Sequence, residues 1–546
     1  MTLVSSEAQP PSRDREASAG PTHSAEAGDL ARAASILAVG SMIGRVLGLA
    51  RETIIADLFG ASGAVSAFRL ASRVPFMIYD LLVGGMLSAA LVPVLSDYAR
   101  PERRRELWPV VSALFSLLGI VLAVLVLLLE LLAPQMAWVV GGGFDAPLQA
   151  VLVRSLRILS PAVLCMGLAG AATAALYALE RFTLPAFGAA VFNLGIIIGV
   201  GALARPLHVD SIAVGVLLGS LGQLAIQLPG LRDARLQVSW AWNHPALRRI
   251  GQLYLPIALG MVISQIQVVI DGNLASRTGP QSVAWMQNAT TLIQFPHGLI
   301  AVAISLASLP SLSQLAAGAD WEAYRRTLAQ ALRLVLYLIL PATVGLWVMA
   351  RPIVRLIFEH GAFTAADTVA VVAALRLYLV GLVFAAVDWP LNYAFYAQQD
   401  TRTPAAIGVA AVVVYLVVAL ALLQPLSYLG LVLADSAKHA AHAVTMAILL
   451  RRRIGGLGSQ EVIGSASYAA GAALAMGGIT GLAVAWLEPA LPVGTLLGNL
   501  TSVVVGGLLA LTSYGTITFF LRMEESRRLW VAAISRLQRG RSDASS

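Results

Sequence analysis

Long apolar runs separated by short polar loops make up the chain from about residue 31 onward. A helix needs about 20 consecutive apolar residues to cross a bilayer, and roughly fourteen of the runs reach that length. The runs lie near 31–58, 65–98, 108–140, 149–178, 184–204, 209–230, 247–276, 281–316, 325–349, 366–396, 404–424, 427–450, 466–487 and 496–521. This pattern predicts an all-α polytopic membrane protein with about 14 transmembrane helices.

Composition supports the membrane class and argues against soluble chemistry. Apolar residues make up 58% of the 546 residues and charged residues 12%, with a mean hydropathy of +0.78. A soluble domain has about twice that charged fraction. The single cysteine, Cys165, lies in an apolar run, so neither a disulfide framework nor a cysteine-based metal site is expected. We therefore expect no enzyme and no cofactor.

Basic residues concentrate in alternate loops, and this explains the net charge of +8 without a nucleic-acid partner. The basic loops contain Arg100, Arg103 to Arg105, Arg181, Arg232, Arg235, Arg248, Arg249, Arg325, Arg326, Arg402 and Arg451 to Arg453. The positive-inside rule places these loops and both termini in the cytoplasm. Residues 1–28 are rich in Ser, Ala, Glu and Pro and are expected to form a disordered cytosolic tail, and residues 524–546 a basic one.

The chain matches itself at an offset of 219 residues. This offset aligns Tyr177 with Tyr396, Pro185 with Pro404, Arg157 with Arg376 and Gly142 with Gly361. It predicts two six-helix lobes, 29–231 and 232–453, related by a parallel internal repeat, with two C-terminal helices in 454–523 outside it. An even number of helices gives both lobes the same orientation, as in transporters that hold a substrate between lobes.

Several short motifs follow one another in a consistent order between about 31 and 450. They are Ser41 to Glu52 with Phe59-Gly60-Ala61, Ala89 to Pro93, Arg181 to Phe187, Phe295-Pro296, His360 to Thr364 and Phe395 to Pro404. Together they resemble the MurJ/MviN family of lipid II flippases in the MOP exporter superfamily. The resemblance implies a multi-pass protein of the bacterial inner (plasma) membrane with fourteen helices and a central cationic cavity.

The same resemblance implies the function. It implies export of lipid II, an undecaprenyl-diphosphate-linked peptidoglycan precursor, from the inner to the outer leaflet by alternating access, driven by an ion gradient or the membrane potential. The two C-terminal helices would form a groove for the lipid tail. The chain is expected to act as a monomer, with proteins of cell-wall synthesis as candidate partners.

Five charged residues of the first two helices are the candidate substrate-binding set. They are Arg45, Arg51, Glu52, Arg69 and Arg73. An arginine at membrane depth is costly and is usually retained because it pairs or binds a ligand. Guanidinium groups bind phosphate oxygens bidentately, which suits a diphosphate. The alternatives are interfacial residues that reach the headgroups, for Arg45 and Arg51, and structural ion pairs for Arg69 and Arg73.

Asp271 and Asp435 are the candidate ion-coupling residues. Asp271 matches an acid that helps to hold a sodium ion in some family members, but Tyr415 and Ala419 replace other ligands while Asp435 is an additional acid. Two neighbouring buried carboxylates would bind a cation, with sodium as the candidate metal, or share a proton. The alternative is that Asp435 pairs with Lys438 or contacts His439, one helical turn away.

The chain also departs from the family at several charged positions, now Ser66, Tyr79, Thr290, Thr291 and Gln294. These changes leave few cations in the second lobe, so the exact cargo stays open. The alternatives to lipid II export are a divergent paralogue that exports another lipid-linked glycan, a non-transporting membrane scaffold in cell-wall synthesis, and a MATE-like drug exporter.

Overall fold

The computed structural model describes residues 22–81, 90–234, 236–457, 459–491 and 495–527, and these residues form helices joined by short connections. The first half contains α1 (Thr22–Phe59), α2 (Gly63–Tyr79), α3 (Val92–Ala99), α4 (Arg104–Leu131), α5 (Ala133–Gly141), α6 (Ala146–Ala178), α7 (Thr183–Ala186), α8 (Gly188–Leu207) and α9 (Asp210–Gln227). The second half contains α10 (Pro245–Ser276), α11 (Ser282–Pro296), α12 (Ala303–Ala317), α13 (Trp321–Val348), α14 (Ala350–Phe358), α15 (Ala365–Ala397), α16 (Arg402–Leu426) and α17 (Tyr428–Ile454). Two further helices, α18 (Ser459–Leu487) and α19 (Leu496–Phe520), complete the order.

The all-α membrane fold is confirmed, while the count of fourteen spans stays a prediction. Within the described residues, ten helical stretches are long and apolar enough to cross a membrane. The other predicted segments coincide with α1, with α2 and α3, with α10 and with α17. α1, α2, α10 and α17 hold the candidate site residues. Their absence from the ten stretches does not decide whether they cross the membrane, because the search covered only the described residues. The segment at 65–98 also includes residues 82–89, which lie outside the described part of the chain.

Both predicted tails lie mainly outside the described residues. Residues 1–21 and 528–546 are not described. α1 begins at Thr22, so the last part of the predicted 1–28 tail is helical.

The internal repeat is visible in the helix boundaries. α2 begins at Gly63 and α11 at Ser282, which are 219 residues apart. The start of α6 at Ala146 and of α15 at Ala365 differ by the same 219. Equivalent helices of the two halves therefore start at equivalent positions.

Small residues allow helices of the first half to approach closely. A Cβ added to Gly195 of α8 would lie 2.4 Å from the Cα of Gly219 of α9. One turn further, a Cβ on Gly199 would lie 2.4 Å from the Cα of Gly215. Apolar helices in a membrane associate through such close packing because lipid offers no hydrophobic driving force between them.

The two halves touch at the end of the molecule where α1 and α10 finish, which we name the closed end. The Ala362 N–H donates to the Asp57 carbonyl at 2.7 Å, and Gly60 has a φ of +61° beside the Ala362 carbonyl. The Asn273 amide donates to the Val139 carbonyl at 2.8 Å. These contacts close the molecule at this end.

The two C-terminal helices dock on α13. The Arg333 Nε atom donates to Glu525 at 2.6 Å, and Ser465 of α18 donates to the same carboxylate at 2.9 Å. Above this contact, an apolar cavity of about 580 Å³ lies between α13, α18 and α19, with Tyr337, Met476 and Tyr514 in its wall.

Candidate functional site

A cavity of about 310 Å³ lies between the two halves beneath the closed end. Its charged lining residues are Arg51 and Glu52 of α1, Arg69 and Arg73 of α2, and Asp80, which follows α2 directly. The second half contributes Gln265, Val268 and Gln287, which are uncharged. The cationic groups of this cavity therefore come from the first half of the chain.

Arg51 is held between its own helix and α8. Its Nη1 atom donates to the Asn193 side-chain oxygen at 2.9 Å, and Nη2 donates to Glu52 at 2.6 Å. Asn193 in turn donates to the Gly44 carbonyl at 3.0 Å, so it fixes both α1 and the arginine. The Arg51 side chain stays 26% exposed, which makes its guanidinium available to a ligand in the cavity.

Arg69 connects the acid of α1 to the second half. Its Nη2 atom donates to Glu52 at 3.0 Å and to the Asn288 side-chain oxygen on α11 at 2.7 Å. Within the described residues, Arg69 Nη1 and Arg51 Nε are buried without a hydrogen-bond partner. A buried donor that lacks an acceptor costs about 1–3 kcal/mol, so two guanidinium groups at this wall are incompletely satisfied.

Arg73 pairs with Asp271 across the interface between the halves. Its Nη1 atom lies 3.1 Å from the Asp271 carboxylate, and the Tyr415 hydroxyl donates to the other oxygen of that carboxylate at 2.7 Å. Both Asp271 oxygens thus accept from groups that a cation would have to displace. This arrangement favours an ion pair over a sodium ion at Asp271.

Arg45 lies apart from this network. It is exposed, and its guanidinium lies 3.1 Å from the position that a Cβ on Gly298 would occupy. Arg45 therefore reaches the segment between α11 and α12, in the second half of the chain, but it does not line the cavity beneath the closed end.

Asp435 has its own partners on α17. Lys438 donates to it at 2.6 Å, and the His439 ring lies 3.7 Å away. Asp271 pairs with Arg73 and Asp435 with Lys438, so each carboxylate has a different cation. Among the described residues, no group of three or more His, Cys, Asp and Glu side chains is placed to hold a metal ion. The ion-coupling role of these two acids stays a prediction.

The positions that depart from the family are occupied by groups with local roles. The Ser66 hydroxyl accepts the Ala284 N–H at 3.2 Å, which joins α2 to α11. Thr290 and Thr291 each donate to the Gln287 carbonyl of their own helix at 2.9 Å. Tyr79 ends α2 and Gln294 is exposed. None of these residues places a positive charge in the cavity.

Three functional features were missed from the sequence. Asn288 contacts Arg69, Tyr415 contacts Asp271, and a further, partly buried pair joins Asp388 to His442 at 2.6 Å. The repeat could have pointed to Asn288, because it lies 219 residues after Arg69. The family resemblance placed Tyr415 at the Asp271 site, although as the replacement of a ligand, whereas no sequence signal identified the pair of Asp388 and His442.

Comparisons with known proteins agree with this architecture. The profile of a family described as "Lipid II flippase MurJ" matches residues 55–502. A lipid II flippase MurJ of Burkholderia cenocepacia is 30% identical over 76% of this chain and 82% of its own length. A probable lipid II flippase MurJ of Haemophilus influenzae is 30% identical over 72% of this chain and 81% of its own.

Solved structures support the fold. One described as "Lipid II flippase MurJ, inward closed conformation" has a TM-score of 0.74 at 22% identity and covers 89% of this chain and 99% of its own. An inward-facing MATE family transporter of the MOP superfamily has a TM-score of 0.64 at 16% identity over 78% of this chain. With the family profile spanning most of the sequence, the chain belongs to the family described as lipid II flippase MurJ.

Proposed function

We propose that this protein moves lipid II, an undecaprenyl-diphosphate-linked peptidoglycan precursor, from the inner to the outer leaflet by alternating access. Membership of the lipid II flippase MurJ family supports this function. The observation that carries it is the arginine-lined cavity between the two halves of the chain.

The chemistry of the cavity fits a diphosphate. Arg51 and Arg69 each have a buried nitrogen without an acceptor, and Arg51 is partly exposed toward the cavity. Diphosphate oxygens accept charge-assisted hydrogen bonds, and guanidinium groups donate them in bidentate geometry. A bound diphosphate would supply hydrogen-bond acceptors to the guanidinium groups of Arg51 and Arg69. In the absence of substrate, Glu52 holds both arginines in place.

The apolar cavity beside α13, α18 and α19 suits the lipid tail. Its wall is formed by Leu338, Pro341, Met476, Leu511 and their neighbours. A polyprenyl chain needs an apolar surface of this kind while its diphosphate is held in a polar site. We therefore assign 29–231 and 232–453 to the transporting lobes and 454–523 to the tail groove.

The topology follows from charge. We place both termini and the basic loops in the cytoplasm of a bacterial cell, with the protein in its inner membrane, because these loops are richer in arginine than the loops that alternate with them. The closed end then faces outward, and the arginine cavity lies beneath it. We propose that the protein acts as a monomer.

A second candidate cargo is another lipid-linked glycan. One observation favours this cargo. Among the described residues that line the cavity, those of the second half have no cationic side chain. A cargo with a smaller or less charged headgroup would need fewer cations there. The diphosphate site on α1 and α2 would serve both cargoes.

Binding by purified protein separates the two cargoes. Native mass spectrometry in detergent would compare retention of lipid II with that of undecaprenyl diphosphate attached to a different glycan. We expect preferential retention of lipid II, lost in Arg51→Ala and kept in the matched control Arg326→Ala, whose arginine is 69% exposed and does not line the cavity. Equal retention of both lipids would favour the second cargo, and retention of neither would contradict the proposed function.

A further inference from the structure

A second polar cavity lies inside the carboxy-terminal half, away from the arginine site. It measures about 400 Å³ and lies between α10, α15, α16 and α17. Its polar lining consists of Gln267, Asp388, Lys438, His439 and His442, and small apolar residues of α16 complete the wall. An intramembrane cluster of ionisable residues is costly, and such clusters mark ion pathways and proton relays.

The centre of this cluster is the pair of Asp388 and His442. The His442 Nδ1 atom lies 2.6 Å from the Asp388 carboxylate. The side chain of His442 is 12% exposed and that of Asp388 is 15% exposed. The other ring nitrogen, Nε2, faces the backbone of α16, 3.9 Å from the position of a Cβ on Gly408. One nitrogen is therefore held by the acid, and the other borders the cavity.

The other charged groups around this cavity do not neutralise Asp388. Asp435 is balanced by Lys438 at 2.6 Å, with His439 3.7 Å from the same acid. The His297 Nε2 atom lies 3.1 Å from the Trp389 Nε1 atom and 3.4 Å from the Ala385 carbonyl, and neither contact involves Asp388. Among the described residues, the basic side chain paired with Asp388 is His442, so protonation of His442 neutralises this acid.

We infer that Asp388 and His442 form a proton-binding site that takes up and releases one proton in each transport cycle. This inference rests on the proposed function as an exporter. Release breaks the Nε2–H bond of the imidazolium and transfers the proton to water in the cavity. Neutral His442 then still donates its Nδ1–H to ionised Asp388. The cluster changes from neutral to net negative, which disfavours the deprotonated state in a closed, dry cavity.

The position of the cavity sets the side of release. It reaches Ala405, close to the start of α16 at Arg402, which lies at the end of the molecule opposite the closed end. Under the proposed topology this is the cytoplasmic side. The present conformation, closed at the outer end, is therefore the one that exchanges the proton with the cytoplasm.

The proton changes the electrostatic environment of Lys438. Lys438 and His442 lie four residues apart on one face of α17 and line the same cavity. When His442 is neutral, the unbalanced Asp388 attracts Lys438 away from Asp435. Loss of the proton thereby weakens the ion pair of Lys438 with Asp435 on α17.

The test is a pH step applied to proteoliposomes of the full chain on a solid-supported membrane, without any lipid substrate and at constant sodium. Proton binding inside the protein displaces charge and gives a transient current. We expect a current on a step from about pH 8 to about pH 6, the range in which histidine titrates. We expect its loss in Asp388→Asn, in His442→Gln and in the double variant, which keeps a neutral hydrogen-bonded pair. Glu322→Gln, which alters an exposed ion pair with Arg326, is the matched control and should keep the current.

Two results would overturn the inference. One is a pH-driven current that survives in the double variant while that variant elutes and melts like the native protein. The other is a current driven by a sodium step at constant pH in place of the pH step. Lipid II translocation is measured separately on the same vesicles. A translocating protein without a pH-driven current refutes the proton site alone, whereas a proton current without lipid II translocation refutes the proposed function alone.

Discussion

Arg69 and Asn288 occupy equivalent positions in the two halves of the chain, and they are hydrogen bonded to each other. They are 219 residues apart, and the Arg69 Nη2 atom lies 2.7 Å from the Asn288 side-chain oxygen. Their helices begin at Gly63 and Ser282, which are separated by the same 219 positions. Two symmetry-equivalent residues can touch only near the axis that relates the halves, so this bond lies at the centre of the interface.

The first prediction concerns this central contact. Asn288→Ala removes an acceptor from a buried guanidinium, which costs about 1–3 kcal/mol and acts only on the closed arrangement. We expect the closed end to open more often. The measurement is the distance distribution between spin labels at Trp138 and Val369, two exposed positions near the closed end, in a background where the buried Cys165 is replaced by Ala.

The control for that experiment is Gln314→Ala, at an exposed position of α12. We expect Asn288→Ala to add a population at longer distance and Gln314→Ala to leave the distribution unchanged. Identical distributions in all three proteins would show that the bond does not hold the halves together.

The second prediction concerns Arg73 and Asp271. Their ion pair crosses the interface at 3.1 Å, with the two side chains 22% and 24% exposed. Removing one partner of a fully buried pair costs about 3–5 kcal/mol, and partial exposure lowers this to about 1–3 kcal/mol by solvent screening. We expect Arg73→Ala and Asp271→Ala each to lower the unfolding temperature in detergent. The decrease in the double variant should be smaller than the sum of the decreases in the two single variants.

A double-mutant cycle tests that coupling directly. The interaction energy is the difference between the double variant and the sum of the single ones. Strict additivity would mean that the pair contributes nothing to stability. The same cycle on Arg326 and Glu322, an exposed pair on α13, provides the additive reference.

The third prediction concerns acid sensitivity at Asp400, in the loop before α16. The Thr403 N–H and hydroxyl, together with Arg453, hold the pKa of Asp400 at about 2, below its usual 3.8. A carboxylate with a lowered pKa stabilises the folded state above pH 3.8 and loses this contribution as the pH falls toward 2. Asp400→Asn should therefore lower the unfolding temperature at pH 5 but have a much smaller effect near pH 2.

The measurement is the unfolding temperature of native protein and of Asp400→Asn between pH 5 and pH 2. The difference between the two unfolding temperatures should decrease as the pH falls. A constant gap would mean that the charge of Asp400 is not what stabilises the start of α16. Asp233→Asn, which affects a different exposed pair with Arg181, controls for a general effect of acid.

The fourth prediction concerns the attachment of the C-terminal helices. Arg333 binds Glu525 at 2.6 Å and Glu524 at 2.9 Å. Burial raises the pKa of Glu525, but a hydrogen bond from a backbone N–H, followed by those from Arg333 and Ser465, lowers it below its usual value. Arg333→Ala leaves the buried Glu525 with Ser465 as its remaining side-chain partner. We expect faster amide exchange across 520–527 than in native protein, with α1 to α9 unaffected. Unchanged exchange at 520–527 would place the attachment in the apolar contacts of α19.

Much of the fold could be predicted from the sequence because membrane helices are specified locally. The apolar runs predicted the helices, and the repeat seen in Tyr177 and Tyr396 appears again in the helix boundaries. The span count could not be settled in the same way. Ten stretches qualify among the described residues, while α17 carries Asp435 and Lys438, whose charges lower the apolarity by which a span is recognised.

The candidate site was predicted by residue type and not by partner. The sequence identified Arg51, Glu52, Arg69 and Arg73, and these line one cavity. It could not show that Asp271 pairs with Arg73, because the two are 198 residues apart. Such pairings depend on how the halves meet, which no local pattern specifies.

The central claim is tested most directly by complementation. A bacterial host would be depleted of its resident lipid II flippase while it expresses this chain, and lipid II exposed at the outer surface would be measured. The account predicts that the native chain restores surface lipid II and growth, that Arg51→Ala abolishes both, and that Arg326→Ala does not. A chain that reaches the membrane in normal amount yet restores neither, or an Arg51→Ala variant that restores both, would contradict it.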